Sequence, residues 1–321
     1  MTDVTDQGFR GISVTDPGVV HRSHVPGDWR RPDIACGYDI YWRSADNFGQ
    51  ILPRPEPADV PAFYAVSDYY THHKRRLDTT KHRGFLLRLL HHLSWRLDRG
   101  VEPTDAWLAA SIGGESKDCL EIGCGKGEML LRLQAMGHRV EGIEPDQDGR
   151  AVSHASGLRV HEGTAENIPV ELRKRQFDAV IMLHVLEHCL DPVAALSNAA
   201  SLTRPGGRLI VEVPNNMAAG AEMFGVSWYW LDVPRHLNFF SRQSLTRAIV
   251  AAGFHIEKVE YFGYTRQFSQ EWGRMHAEIS RVLSRSGIGG TWQMLQLFLK
   301  TACSGPDRRY DSVRVFARKP E

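Results

Sequence analysis

The residues with the most pointed chemistry are Glu121-Ile122-Gly123-Cys124-Gly125-Lys126-Gly127, where a short apolar run ends in glycines and a helical pattern begins. Glycine lets the backbone turn tightly and lets a ligand approach with no Cβ in the way. A dinucleotide fingerprint would put its third glycine where Glu128 stands, and a glutamate at a helix start sits badly beside a pyrophosphate. A phosphate loop is excluded as well, because no GK[ST] follows. The ligand that suits this loop is cationic with a small zwitterionic tail. Glu121 would orient its ammonium, and glycine N–H groups would face its carboxylate. Glu144, 21 positions after Gly123, is placed to accept both hydroxyls of a ribose and would repel a 2′-phosphate. The expectation is a nucleoside-type ligand.

Two histidine-bearing segments follow. In His184-Val185-Leu186-Glu187-His188 a helical conformation would put His184, Glu187 and His188 on one face. Such a face can bind a divalent metal, or Glu187 and His188 can simply brace the turn. The second segment, Trp228 to Leu237, holds Trp228, Tyr229, Trp230, Asp232, Arg235 and His236. It reads either as a substrate wall, with Arg235 pairing to Asp232 or to an anionic substrate, or as core tryptophans beside a structural salt bridge. His236 is the first choice for a general base, with His188 and His184 behind it.

The elements that must position these residues alternate from Asp118 onward. Strands are expected at CLEIG, RVEGIE, LRVHEG, FDAVIML, GRLIVEV and HIEKVEYF, with helices between them and a closing strand at SVRVFAR. Repeated βα units of this length predict an α/β fold with a mainly parallel sheet and helices on both faces. Residues 1–62, punctuated by prolines, read as an irregular N-terminal arm or a small β-rich lead-in, and 63–116 as a helical lid in which Thr104 caps a short helix. Residues 117–321 form the main domain, with a helical insertion at 264–303.

EIGCGKG, GIEPD, FDAVIMLHVLEH and RPGGRLIVEVPN, in this order, resemble the class I S-adenosylmethionine-dependent methyltransferases, in particular their bacterial small-molecule subgroup. The resemblance covers about residues 117–262 and the last strand. It implies a Rossmann-like seven-stranded sheet with the last strand inserted antiparallel, and S-adenosyl-L-methionine as cofactor. It also implies that Pro145 follows the ribose carboxylate, that Ala165 and Glu166 lie near the adenine, and that Leu183 and His184 line the methionine end. Tyr70 would approach the cofactor from the lead-in. The HVLEH segment is similar to the ExxEH motif by which some ubiquinone-pathway and small-RNA methyltransferases hold Mg²⁺, but His184 replaces the first glutamate and removes a hard oxygen ligand. Relatives carry a zinc ribbon before the lead-in; here only Cys36-Gly37 remains of it, and no metal is expected. The expected reaction is methyl transfer to a small-molecule acceptor, chiefly O-methylation of a natural product or sugar-type metabolite. A metal-assisted variant and a non-catalytic cofactor-binding protein are the alternatives.

Composition is that of an ordinary globular chain, with 42% hydrophobic and 24% charged residues and a formal net charge of +1. That balance gives no general attraction to nucleic acid, which is not expected as a partner. The basic run from Lys74 to Arg99, if it faces the pocket, predicts an anionic acceptor. Five cysteines without CxxC spacing make neither a disulfide framework nor a cysteine zinc site, and a reducing cytoplasm is the default location. No stretch reaches the ~18 apolar residues of a spanning helix, so no stable membrane insertion is expected. The amphipathic helices at 266–300 are expected to pack on the sheet edge or to form a homodimer contact.

Overall fold

The computed structural model describes residues 8–34, 36–66, 84–100, 104–283 and 290–321. The chain starts with β1 (Val19–Val25), β2 (Tyr38–Arg43) and β3 (Phe48–Leu52), followed by a short helix α1 (Val60–Tyr64). Helices α2 (Phe85–Leu97) and α3 (Asp105–Ile112) lead into the main domain. There β4 (Asp118–Ile122), α4 (Glu128–Ala135), β5 (Arg139–Glu144), α5 (Gln147–Ala155) and β6 (Val160–Glu162) form the first half. The second half holds β7 (Phe177–Leu183), α6 (Pro192–Leu202), β8 (Thr203–Pro214), α7 (Ala219–Phe224), β9 (Asn238–Phe239), α8 (Arg242–Ala251) and β10 (His255–Phe262). After the helices α9 (Gln270–Leu283), α10 (Thr291–Thr301) and α11 (Pro306–Arg309), the chain closes on β11 (Ser312–Arg318).

The main sheet has seven strands in the order β10-β11-β8-β7-β4-β5-β6. Pairings from β8 to β6 are parallel, whereas β11 runs antiparallel to both β8 and β10. Strand order reverses beside β4, and the carboxyl ends of β4 and β7 meet where doubly wound sheets bind ligands. One sheet face packs Leu120, Val180 and Val211 against Leu196 and Leu245 of α6 and α8. The other packs Cys119, Ile181 and Ile210 against Leu108, Ile112 and Leu133 of α3 and α4. Side-chain caps start these helices as their sequences suggest: Thr104 accepts from Trp107 N, Asp146 from Gly149 N and Ser241 from Ser244 N.

The front of the chain is a small β-rich lead-in rather than an irregular arm. β1, β2 and β3 form an antiparallel sheet, and β9, nearly two hundred residues later, completes it as fourth strand. Prolines 26, 32 and 53 fall between or after strands, while Ile40, Trp42, Phe48 and Ile51 are buried. Gly49 is required there, since a Cβ would sit 2.5 Å from the Trp42 ring. The insertion is helical as expected. Trp272 and Ile279 of α9, and Met294 and Leu297 of α10, are buried within the chain, leaving Trp292 and Leu299 exposed. Of the basic run, residues 74–83 lie outside the described residues; Arg88, Arg96 and Arg99 are exposed. Among the described residues, no helix is long and apolar enough to cross a membrane.

Candidate active site

At the end of β4, Gly123, Gly125 and Gly127 all adopt positive φ (72°, 53° and 77°). A Cβ at Gly123 would lie 2.5 Å from Val185 Cγ2, and one at Gly127 would lie 2.3 Å from Leu158 Cδ1, so glycine is obligatory at both. The loop amides do not face outward as the sequence suggested. Gly123 and Cys124 donate to Ile143 O, Gly125 donates to Glu144 Oε2 (2.7 Å), and Gly127 donates to Cys124 O. The loop folds back on β5, and a ligand carboxylate must therefore find other donors.

Glu144 also accepts from Asp146 N (2.9 Å), which aims its carboxylate across the loop with lone pairs left for hydroxyls. A cavity of about 410 Å³ is lined by Glu121, Cys124, Gly125, Lys126, Glu128, Met129 and Arg132. Glu121 is only 5% exposed, and its Oε2 has no hydrogen-bond partner. Burial, reinforced by Glu144, pushes its carboxyl up to about 8. A glycine cradle, an acid at the ribose position and an unsatisfied buried carboxyl oxygen fit a nucleoside that carries an ammonium. Farther along the same edge Pro145 O accepts from Arg150, Ala165 is buried, and Glu166 Oε1 accepts from Leu190 N (2.7 Å). Leu183, half-buried, ends β7; Tyr70 lies outside the described residues.

Beyond β7 the chain turns through His184 at φ 54°, a left-handed conformation that is uncommon for a non-glycine residue. Leu186–His188 then form a single 3₁₀ turn. His184 and His188 consequently do not share a helix face, contrary to the helical expectation. Instead His184 Nδ1 lies 3.1 Å from Glu187 Oε1 and Nε2 lies 2.8 Å from Glu212 Oε1. A ring between two carboxylates needs both N–H groups: burial lowers its pKa, but Glu187 and Glu212 together raise it to about 9. Glu212 also pairs with buried Arg314 (2.5 Å), and Trp230 stacks on the His184 ring at 4.8 Å.

The structure brings a different trio together. Glu187, His188 and His236 each offer a ligand atom within 4.8 Å of the others. His188 Nδ1 lies 3.0 Å from Arg235 O and 3.0 Å from Tyr64 Oη, and His236 Nδ1 lies 2.8 Å from Trp230 O. A carbonyl only accepts, so these bonds assign the proton to Nδ1 and leave a lone pair on each Nε2. Burial keeps both imidazoles neutral, and His188 adds to this at His236, whose pKa falls to about 4. Glu187 Oε2 is buried without a partner. A carboxylate and two neutral imidazoles thus sit together here, each imidazole with its Nε2 lone pair free of these bonds.

The remainder of the aromatic segment turns inward. The Arg235 side chain is fully buried, donating to Asp28 (2.7 and 3.0 Å), Asp232 (3.0 Å) and Phe63 O. Burial pushes Asp232 up, but Arg235 and Arg30 outweigh it and hold the carboxyl far below its usual range. Trp228 and Tyr229 are buried, and Trp230 alone of the three is half-exposed. The wall expected from Trp228, Tyr229, Trp230, Asp232 and Arg235 therefore narrows to Trp230, with Asp232 and Arg235 forming an ion-pair clamp on the front of the chain.

Sequence reasoning missed Asp28, Tyr64, Glu212, Arg314 and Arg54. Arg54 donates to Leu237 O, Cys189 O and Leu190 O, and Asn238 reaches Leu186 O and Cys189 O. Leu237 N in turn donates to Glu187 O (2.7 Å). The front sheet thereby fixes the two backbone segments that carry His188 and His236. Nothing local marks these residues, since each becomes meaningful only through a partner far along the chain.

Strand order, glycine cradle and acid at the ribose position define an S-adenosylmethionine-dependent methyltransferase. Residues 89–259, more than half of the chain, match the family model described as a methyltransferase domain (Methyltransf_23), and the chain belongs to that family. It is similar to the ubiquinone biosynthesis O-methyltransferase of Aeromonas salmonicida, with 29% identity over 178 residues, 50% of this chain and 74% of that one. The enzyme of the same name from Aromatoleum aromaticum is 31% identical over 115 residues, 34% of this chain and 49% of that one. The chain thus spans between half and three-quarters of the length of these relatives. Among solved structures, a SAM-dependent methyltransferase from Thermotoga maritima, titled a possible histamine N-methyltransferase, is 20% identical with a TM-score of 0.45, covering 72% of this chain and 91% of that one.

Proposed function

We propose that the protein methylates a hydroxyl oxygen of a small-molecule acceptor, of natural-product or sugar type, with His236 as general base. The observation that carries this is the convergence of Glu187, His188 and His236 beyond the end of β7, with Glu187 Oε2 buried and unpartnered. Bound S-adenosylmethionine supplies an activated methyl group on sulfur. A hydroxyl must shed its proton as its oxygen attacks that carbon, and a neutral imidazole with a free Nε2 lone pair can accept it. Trp230 O fixes the His236 ring through Nδ1–H, and the charge of the nearby Glu187 carboxylate would stabilise the imidazolium formed. Glu121, Glu144 and the glycine loop would hold the cofactor, with Ala165, Glu166, Leu183 and His184 along its length. The relatives' shared name, O-methyltransferase, supports oxygen as the acceptor atom.

The test is His236→Ala, assayed against an acceptor found by mass-spectrometric screening for a gained methyl group. The expected result is a kcat roughly 100-fold lower with cofactor affinity unchanged; undiminished turnover would remove His236 from the mechanism.

A second reading has a specific observation behind it. Two Nδ1-anchored imidazoles and a carboxylate oxygen within 4.8 Å are also a ligand set for a divalent cation. Nitrogen-rich ligation of this kind suits zinc or iron better than magnesium. Activity lost on dialysis against a chelator and restored by one such ion would favour this reading. A rate indifferent to chelation would leave the base mechanism.

A further inference from the structure

We infer that Glu121 meets the cofactor as a neutral acid and releases its proton to solvent when the cofactor's α-ammonium docks on it, making cofactor capture selective for the amino-acid tail. The inference rests on placing the cofactor in the glycine-loop cavity and is independent of the acceptor chemistry.

Glu121 sits near the end of β4, with Gly142 of β5 and Ile181 of β7 opposite it. The groups that face it can be enumerated. From β5 comes Glu144, a second buried carboxyl. From the glycine loop and α4 come Cys124, Lys126, Glu128 and Arg132, which line the same cavity. Arg132 pairs with Asp105 (2.7 Å), and no ion pair or hydrogen bond among the described residues reaches Glu121 Oε2. β7 sets Ile181 opposite Glu121, and beyond the strand His184 has its charge taken up by Glu187 and Glu212.

Two neighbouring buried carboxyls, one of them with no hydrogen-bond or ion-pair partner on its Oε2, do not readily stay ionised together. Backbone amides of Gly125 and Asp146 steady the negative charge of Glu144, whereas Glu121 has no such support. The free site therefore keeps its proton on Glu121. An arriving ammonium reverses the preference, because it donates to Oε2 and favours the carboxylate. The carboxylic acid loses H⁺ to solvent, the ammonium keeps its own protons, and the charge balances. With burial setting the free group at about 8, binding below that pH must expel a proton. Affinity should then fall by about tenfold for each pH unit below that value and level off above it.

The experiment is calorimetric titration of the full chain with S-adenosylhomocysteine at pH 7, in phosphate and in Tris, whose ionisation enthalpies differ. The expected buffer dependence corresponds to nearly one proton released. The same titration with 5′-methylthioadenosine, which has the nucleoside but no amino-acid tail, should show no buffer dependence. Glu121→Gln with S-adenosylhomocysteine should likewise show none. Buffer-independent heat in the wild type overturns the inference, as does an unchanged proton count with the tail-less ligand or in the variant. Absence of any binding would sink the cavity assignment as well, whereas binding without proton release sinks this inference alone. If Glu121→Gln does not fold, the comparison of the two ligands on the wild type still decides.

Discussion

The proposed cofactor end and the proposed acceptor end of the site lie on one sheet edge but are assembled from the chain in opposite ways. Glu121, the glycines and Glu144 come from two adjacent strands and the turn between them. The acceptor end draws on Asp28, Arg54, Tyr64, His184 to His188, Glu212, Trp230 to His236 and Arg314. Charge treatment differs as well. At the acceptor end Arg235 is held by Asp28 and Asp232, and His184 by Glu187 and Glu212, so the scaffold is electrically complete before any ligand arrives. At the cofactor end a buried acid lacks a partner. Paired buried charges mark the frame, whereas at Glu121 Oε2 and Glu187 Oε2 a buried carboxylate oxygen is left without a partner for a ligand to complete.

The frame can be broken most severely at Arg235. Arg235→Met would remove the cation that Asp28 and Asp232 share, leaving only Arg31 and Arg30 against two buried carboxylates, a loss of about 3–5 kcal/mol in chemical denaturation. If the two ends are independent, the variant that still folds should bind S-adenosylhomocysteine within about twofold of wild type while losing turnover. A stability loss below about 1 kcal/mol would mean that the clamp does not hold the front sheet to the main domain.

Next in size is the ribose anchor. Glu144→Ala removes charge-assisted hydrogen bonds worth about 1.5–3 kcal/mol, so Kd for S-adenosylhomocysteine should rise by roughly 10–100-fold in calorimetry. Turnover at saturating cofactor should change by only a few-fold, because Glu144 touches neither His188 nor His236. A collapse of kcat at saturation would join the two ends that the structure keeps apart.

The same contrast explains what could be read from the sequence. Sheet order, the cofactor and the acid after β5 were legible because glycines and apolar runs act on their neighbours, and a strand-turn-helix encodes its own geometry. His236 and the Asp232–Arg235 pair stood out by type within one segment. Asp28 and Tyr64 carried no signal, since an aspartate after Gly27 and a tyrosine before Ala65 gain meaning only when β3 pairs with β9. The strand pattern of residues 38–52 was obscured by the surrounding prolines for the same reason: its fourth partner is supplied by a distant loop. His184 misled the reading in another way. Its left-handed backbone ends β7 abruptly, so the three- and four-residue spacing that would mean one helix face instead sends His184 to Glu212 and His188 to His236.

The smallest effects should come from two tryptophans two positions apart, and they separate frame from site within a single segment. Trp228 is 1% exposed with Nε1 unpartnered, packed with Phe224 and Phe268. Trp228→Phe therefore forfeits no hydrogen bond and costs what the void costs, about 1–3 kcal/mol. Trp230 is half-exposed, lies flat against His184, has Arg266 over it at 5.1 Å, and donates Nε1–H to Asp311 at 3.3 Å. Trp230→Phe keeps a ring on His184 and loses one long hydrogen bond, worth at most about 1 kcal/mol. Stability should therefore rank Trp228→Phe as the more damaging change, while steady-state kinetics should rank them the other way. Only the Trp230 variant should raise the acceptor KM, by a few-fold, because only that ring borders the space between His184 and the histidine pair. Should Trp228→Phe shift the acceptor KM as much, the wall would extend deeper into the segment than Trp230, and the line drawn here between frame and site would have to move.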